Sequence, residues 1–156
     1  GIVTVFVKVG MNVRWDATRS LEDMINEGVR RAYAHPDNKL RASIVADPAG
    51  RRGNTKDNTP AVIHVELVPG EHVEIMVAAK GGGSENKSMF EMLNPSDSIV
   101  DWVMSVVPHM GAGWCPPGML GIGIGGTAEK AMVMAKESLM ETIDMPASAG
   151  SRPCST

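Results

Sequence analysis

The sequence predicts an α/β domain built on a mixed sheet, and three observations carry that prediction. β-branched apolar runs at 2–9, 61–68 and 72–79 read as strands. Apolar residues recur at helical spacing over 21–33, 99–107 and 131–139, and the two patterns alternate along the chain. The expected architecture is a mixed sheet with a β-hairpin and about three packed helices in a single domain. A chain of 156 residues is long enough for this, burying roughly two-thirds of its unfolded surface in one core.

Composition narrows the partners. With 15 basic and 18 acidic residues the net charge is -3, which gives no reason to expect a nucleic acid or an anionic membrane as partner. No apolar run approaches the roughly 20 residues of a membrane span and no signal peptide is visible, so a soluble, cytoplasmic protein is expected. The two cysteines, Cys115 and Cys154, lie far apart in unlike surroundings. They are expected as reduced thiols rather than as a disulfide.

The first strand, IVTVFVKV, starts immediately after Gly1. Because a native chain seldom begins inside its first core strand, a fragment lacking residues upstream of Gly1 is expected. Ser20 with Asp23 resembles a capping box, and Leu21, Met24, Ile25, Val29, Ala32 and Tyr33 share one helical face until Pro36. Residues 37–60 form a long polar, net-basic loop carrying Lys39, Arg41, Arg51, Arg52 and Lys56, with one short apolar step at Ile44-Val45-Ala46. AVIHVELV and HVEIMVAA, separated by a turn at Pro69-Gly70, are expected to pair as an antiparallel hairpin. His64 and His72 fall on its more polar positions and lack a third ligand at a recognisable spacing. They read as solvated or core-edge histidines rather than metal ligands.

The second strand of that pair runs into AKGGGSENKS. Gly81, Gly82 and Gly83 leave backbone N–H groups uncovered, with Lys80 and Lys87 beside them, which suits a carboxylate or phosphate. A flexible turn is the alternative reading, and the spacing is not that of a phosphate loop. Pro95 and Ser96 are expected to open a helix whose stripe is Ile99, Val100, Val103, Val106 and Val107, closed by Pro108.

Next comes GAGWCPPGMLGIGIGGT, residues 111–127. Glycine before Cys115 and two prolines after it fix the backbone, as in a loop that presents one sulfur atom. A lone cysteine is also often just a small buried hydrophobe, so both readings stand on the residues alone. The run 119–124 reads as a glycine-notched strand that something must approach closely. Thr127 or Gly126 then caps a last helix with Ala131, Met134, Ala135, Ser138 and Leu139 on one side. Residues 145–156 read as a linker or disordered tail, with Cys154 an incidental exposed thiol. The thiol loop, the triple glycine and the basic loop around Arg41 could converge on one site. Open readings are an enzyme with a shared cofactor, an anion- or nucleotide-binding module without catalysis, and a purely structural domain.

GIVTVFVKVG, NKLRAS, NTKDNTPAVIHVELVPG, AKGGGSENKS and GAGWCPPGMLGIGIGGTAEKAMVMAKESL together resemble the amino-terminal, alpha-type region of class I fumarate hydratases. These are iron–sulfur hydro-lyases that also include L-tartrate dehydratase. The resemblance runs over nearly all of 1–144 and implies that this stretch is the family's amino-terminal catalytic region, truncated at both ends. It implies reversible hydration of fumarate to L-malate, with L-tartrate dehydration as the alternative within the family. It further implies a 4Fe–4S cluster in the intact enzyme, with Cys115 as one ligand and the cluster absent from the fragment alone. Arg41 would make a forked contact to a substrate carboxylate, and Gly81, Gly82 and Gly83 would supply backbone donors. The family's catalytic base falls in the missing region, so no catalytic group is expected here and the fragment alone is expected to be inactive. Implied partners are a small dicarboxylate and either a second copy or a beta-type chain. Cys154, in an unmatched tail, takes no ligand role.

Overall fold

The computed structural model describes residues 2–16, 18–114 and 117–143. The chain divides into two compact units, Gly1–Leu120 and Gly121–Thr156. The first is organised by strand β1 (Ile2–Gly10), whose side chains are buried almost throughout. Val and Phe on both faces make an edge position costly, because one apolar face or the other would stay wet. β1 is accordingly the middle strand of three, between β4 (Val62–Val68) and β5 (Val73–Lys80). It runs parallel to β4, with Val7 opposite Val65, and antiparallel to β5, with Val7 opposite Ile75.

This arrangement confirms the mixed sheet and corrects one pairing. The strands expected at 61–68 and 72–79 exist, but they do not form a hairpin with each other, because β1 lies between them. The link 69–72 has to step over a gap of two strand spacings, about 9.6 Å. It arches over the end of β1, where Gly10 N donates to His72 O (2.9 Å), Met11 N to Val68 O (2.9 Å) and Asn12 N to Gly70 O (3.0 Å). A side chain on Gly10 would run into the Gly70 carbonyl. The hairpin is found instead in the polar loop, where β2 (Val45–Ala46) pairs antiparallel with β3 (Gly53–Asn54).

Helix α1 (Leu21–Ala34) covers part of one sheet face. Ser20 Oγ accepts from Asp23 N at 3.0 Å, a cap worth about 1 kcal/mol. Val29 joins Val3, Val5, Val7 and Val9 in the core, and Leu21, Ile25, Tyr33 and Ile63 pack around them. Toward the flanks of that same face, Val65, Leu67, Ile75 and Val77 remain exposed.

Beyond β5 come a one-turn helix α2 (Gly82–Glu85), helix α3 (Ile99–Val106) and a 3-10 turn over Val107–Met110. The cap of α3 is Ser98, whose hydroxyl accepts from Asp101 N at 3.2 Å. Pro95 and Ser96 therefore do not open the helix. They belong to a preceding turn closed by Asp97 Oδ2, which accepts from Asn94 N at 2.7 Å.

The stretch 119–124, whose last four residues open the second unit, is not a strand, since no strand pairs with it among the described residues. Its notches serve helix α4 (Ala128–Ser138). Side chains at Gly121 and Gly123 would strike the carbonyl oxygens of Ala135 and Ala131. The close approach expected of these glycines is thus made by helix backbone. The tail at 145–156, with Cys154, lies outside the described residues.

Candidate active site

The triple glycine is neither an open nest nor a slack turn. Gly81 is the N-cap of α2, with φ -65° and ψ 143°. The turn is closed by Glu85 N to Gly81 O (3.0 Å) and Asn86 N to Gly82 O (3.1 Å). In any helix the first N–H groups lack an intrahelical acceptor, so those of Gly82 and Gly83 stay available as donors. Glycine is a poor helix former, and side chains supply the missing order. Ser84 Oγ donates to Gly81 O at 3.0 Å and accepts from Lys80 Nζ at 3.0 Å. Lys80 Nζ also lies 3.3 Å from Glu85 Oε2, in a pair whose side chains are only 17% and 20% exposed. Lys80 is therefore engaged in holding the turn and is not a free cation beside it.

Gly83 faces the stretch that leads into Cys115. A Cβ on Gly83 would collide with the carbonyl oxygen of Gly113, so the two backbones touch only because Gly83 has no side chain. Around Gly113 the chain is folded tightly. Gly111 has φ 63°, Trp114 Nε1 donates to Gly111 O, and the Trp114 ring fills the space that a side chain on Gly118 would need. The Lys87 side chain reaches the same place, its Cε 3.3 Å from the Cβ position of Gly113. Cys115 itself, with Pro116, lies outside the described residues. Two of the three sequence features, the glycine turn and the approach to Cys115, are thus neighbours in space.

Arg41, the third feature, sits exposed in the 37–60 loop and makes no hydrogen bond or ion pair among the described residues, so none links it to the glycine turn. Its surroundings were invisible to sequence reasoning. Before it, Asn38 Nδ2 donates to Leu40 O (2.9 Å) and to Tyr33 O (3.1 Å), while Asn38 Oδ1 accepts from Leu40 N (2.9 Å). After it, Asn54 Nδ2 donates to Ala42 O (2.9 Å), and Asn58 Oδ1 accepts from Ser43 N (2.9 Å) and Ile44 N (3.2 Å). The one available signal was the density of asparagines in NKLRAS and NTKDNTP.

The loop is moored to α1 by Arg30 Nε to Asp57 Oδ2 (3.1 Å) and by Ala61 N to Asn26 Oδ1 (2.8 Å). The Thr59 hydroxyl and then the Thr59 N–H, with Arg30 beyond them, hold the Asp57 carboxyl below its ordinary value. A depressed folded-state pKa stabilises at pH above the unfolded value and is lost as pH falls through the folded one. Protection of the Thr59 amide, corrected for intrinsic exchange, should therefore hold down to the ordinary carboxylate range near pH 4 and decline below it. Hydrogen exchange across that range checks this, and protection independent of pH would contradict it.

His64 stacks on Phe6 with ring centroids 4.8 Å apart, which accounts for it as a core-edge residue. Among the described residues no three His, Cys, Asp or Glu side chains are grouped to hold a metal ion. These residues do not by themselves form a cradle for a cluster.

Comparison with known proteins shows the family. The family model described as fumarate hydratase (Fumerase) matches residues 1–151. The chain belongs to the fumarate hydratase family. A Methanocaldococcus jannaschii protein, whose name provisionally places it among L(+)-tartrate dehydratase alpha subunits, is 35% identical over 150 residues, covering 92% of this chain and 52% of its own length. Fumarate hydratase 2 of Leishmania major is 32% identical over 121 residues, covering 74% of this chain and 21% of its own. The L(+)-tartrate dehydratase subunit alpha of Escherichia coli strain UTI89 is 26% identical over 146 residues, covering 92% and 48%. The chain spans about half the length of the tartrate dehydratase subunits it matches, and less of the fumarate hydratase. Both names denote hydro-lyases, so family membership and the lyase class agree with the resemblance read from the motifs. No helix among the described residues is long and apolar enough to cross a membrane.

Proposed function

We propose that this chain contributes one part of the active site of an iron–sulfur hydro-lyase that adds water reversibly to a small dicarboxylate, fumarate giving L-malate. The observation that supports it is the backbone contact between Gly83 and Gly113, which sets the donor turn against the stretch entering Cys115. In this reading the N–H groups at the start of α2 and the Arg41 guanidinium take substrate carboxylates, Arg41 by a forked pair of bonds. The Cys115 thiolate is one cluster ligand, and the remaining thiolates come from outside this chain, as does the base that removes the proton beside the carboxylate. When bound, a 4Fe–4S cluster with one iron free of cysteine supplies Lewis acidity. This chain's own residues bind and orient the dicarboxylate around it.

The intact protein pairs with a beta-type chain or with a second copy of itself. The relatives named as alpha subunits favour the former, and the exposed Val65, Leu67, Ile75 and Val77 on one sheet face offer apolar surface to a partner.

L-tartrate dehydration is the second reading. It is favoured by the relatives named for tartrate, which align with more of this chain than the fumarate hydratase does. Anaerobic assay of the assembled enzyme against fumarate, malate and L-tartrate decides between them, and inactivity on all three would refute both. Cys115→Ser should abolish the visible absorbance of the cluster along with turnover. A variant that keeps both would sink the ligand role of Cys115.

A further inference from the structure

The asparagines around Arg41 are arranged at some cost. Asn58 is fully buried and has φ 58°, and its Nδ2 finds no partner among the described residues. A buried donor without an acceptor is unfavourable, so this position is not filled for packing alone. Its oxygen accepts from two successive N–H groups, those of Ser43 and Ile44, just ahead of the short β2–β3 ladder. Asn54 fixes the carbonyl of the residue next to Arg41 from the other strand of that hairpin. All these holds are neutral amides. A carboxylate at 58 could still accept from both N–H groups, whereas one at 54 could not donate to the Ala42 carbonyl, and either would add a negative charge to the loop that carries Arg41. Amides fasten the backbone and leave the guanidinium charge for a ligand.

We propose that Asn54 and Asn58 are positioning residues that hold Arg41 where its guanidinium takes a substrate carboxylate. The proposal rests on the reading of Arg41 given above. Its logic is preorganisation: a forked contact needs both donors within hydrogen-bond reach at once, and a pivot at Ala42–Ser43 would spread the guanidinium over many orientations.

The test uses the assembled enzyme with Asn54→Ala, Asn58→Gly, Arg41→Ala and the double variant Arg41→Ala/Asn54→Ala. Glycine at 58 accepts the positive φ without strain while deleting the amide. Asn54 is exposed, so its alanine variant carries the test if the Asn58 variant fails to fold. Each asparagine variant should raise KM for the dicarboxylate by about tenfold and change kcat far less. In the double variant KM should be no higher than for Arg41→Ala alone, because a positioning residue has nothing left to position. Amide exchange at Ser43 and Ile44 should accelerate in Asn58→Gly. Parental KM in both asparagine variants, full additivity in the double variant, or unchanged exchange at Ser43 and Ile44 would each overturn the proposal. If Arg41→Ala itself leaves KM unaltered, the carboxylate role of Arg41 falls first and takes the positioning role with it. The two failures are thereby distinguishable.

Discussion

Gly83→Ala should lower the turnover of the assembled enzyme by about 100-fold while leaving the three-stranded sheet folded. The added methyl group has nowhere to go, since its path is blocked by the Gly113 carbonyl, which is backbone and cannot rotate aside. Either α2 or the 111–114 stretch must move, and the first carries the proposed donor N–H groups while the second leads into Cys115. A shift of about 1 Å is enough for an effect of this size. Gly81→Ala is the control within the same turn, because a side chain there meets nothing within 4 Å and φ is already -65°. Far-UV circular dichroism and a melting curve should be close to parental for both variants, with cluster absorbance altered in Gly83→Ala only. Equal turnover in the two variants would show that the contact has no bearing on the chemistry.

Arg41→Ala should raise KM for the dicarboxylate by about 100-fold or more, from the loss of two charge-assisted bonds each worth roughly 1.5–3 kcal/mol. Nothing within the described residues competes for this guanidinium, so its loss should cost little stability. Arg41→Lys keeps the charge but not the planar fork and should recover only part of the affinity. The contrast separates forked recognition from simple attraction: a lysine variant equal to the parent would reduce Arg41 to a point charge. Thermal denaturation of all three proteins in the absence of substrate should give similar midpoints. A large drop for Arg41→Ala would recast the residue as structural.

Much of the fold was legible because periodicity states burial directly. IVTVFVKV is apolar at nearly every position and could only be an inner strand. The face of α1 was readable from Leu21, Ile25, Val29 and Tyr33, and its cap from Ser20. Pairing was not legible, since alternation in AVIHVELV and HVEIMVAA fits either a hairpin or two strands flanking a third. The demand of β1 for neighbours on both edges decided it. Likewise Gly121 and Gly123 announced a close approach without naming the helix that makes it.

The triple glycine was read from the sequence as an uncovered anion nest, and its helical form was not legible there. Three glycines have no helical preference, and the order comes from Lys80, Ser84 and Glu85 acting together. The asparagines were hidden for a different reason. An amide in a loop can satisfy its own turn or reach a neighbour, and only the folded backbone of 38–58 shows which of these Asn38, Asn54 and Asn58 do.

The central place of β1 also sets an order of events during synthesis. Of the three strands of its sheet, β1 is made before both of its partners: its contacts run to residues 62–68 and 73–80, with α1 and the whole basic loop made in between. Until then Ile2–Val9 is an uncharged, β-prone segment apart from Lys8, with both edges open to any other strand. Non-local pairing of this kind slows folding and prolongs that exposure. The innermost strand of the finished protein is thus the segment most in need of shielding while the protein is being made.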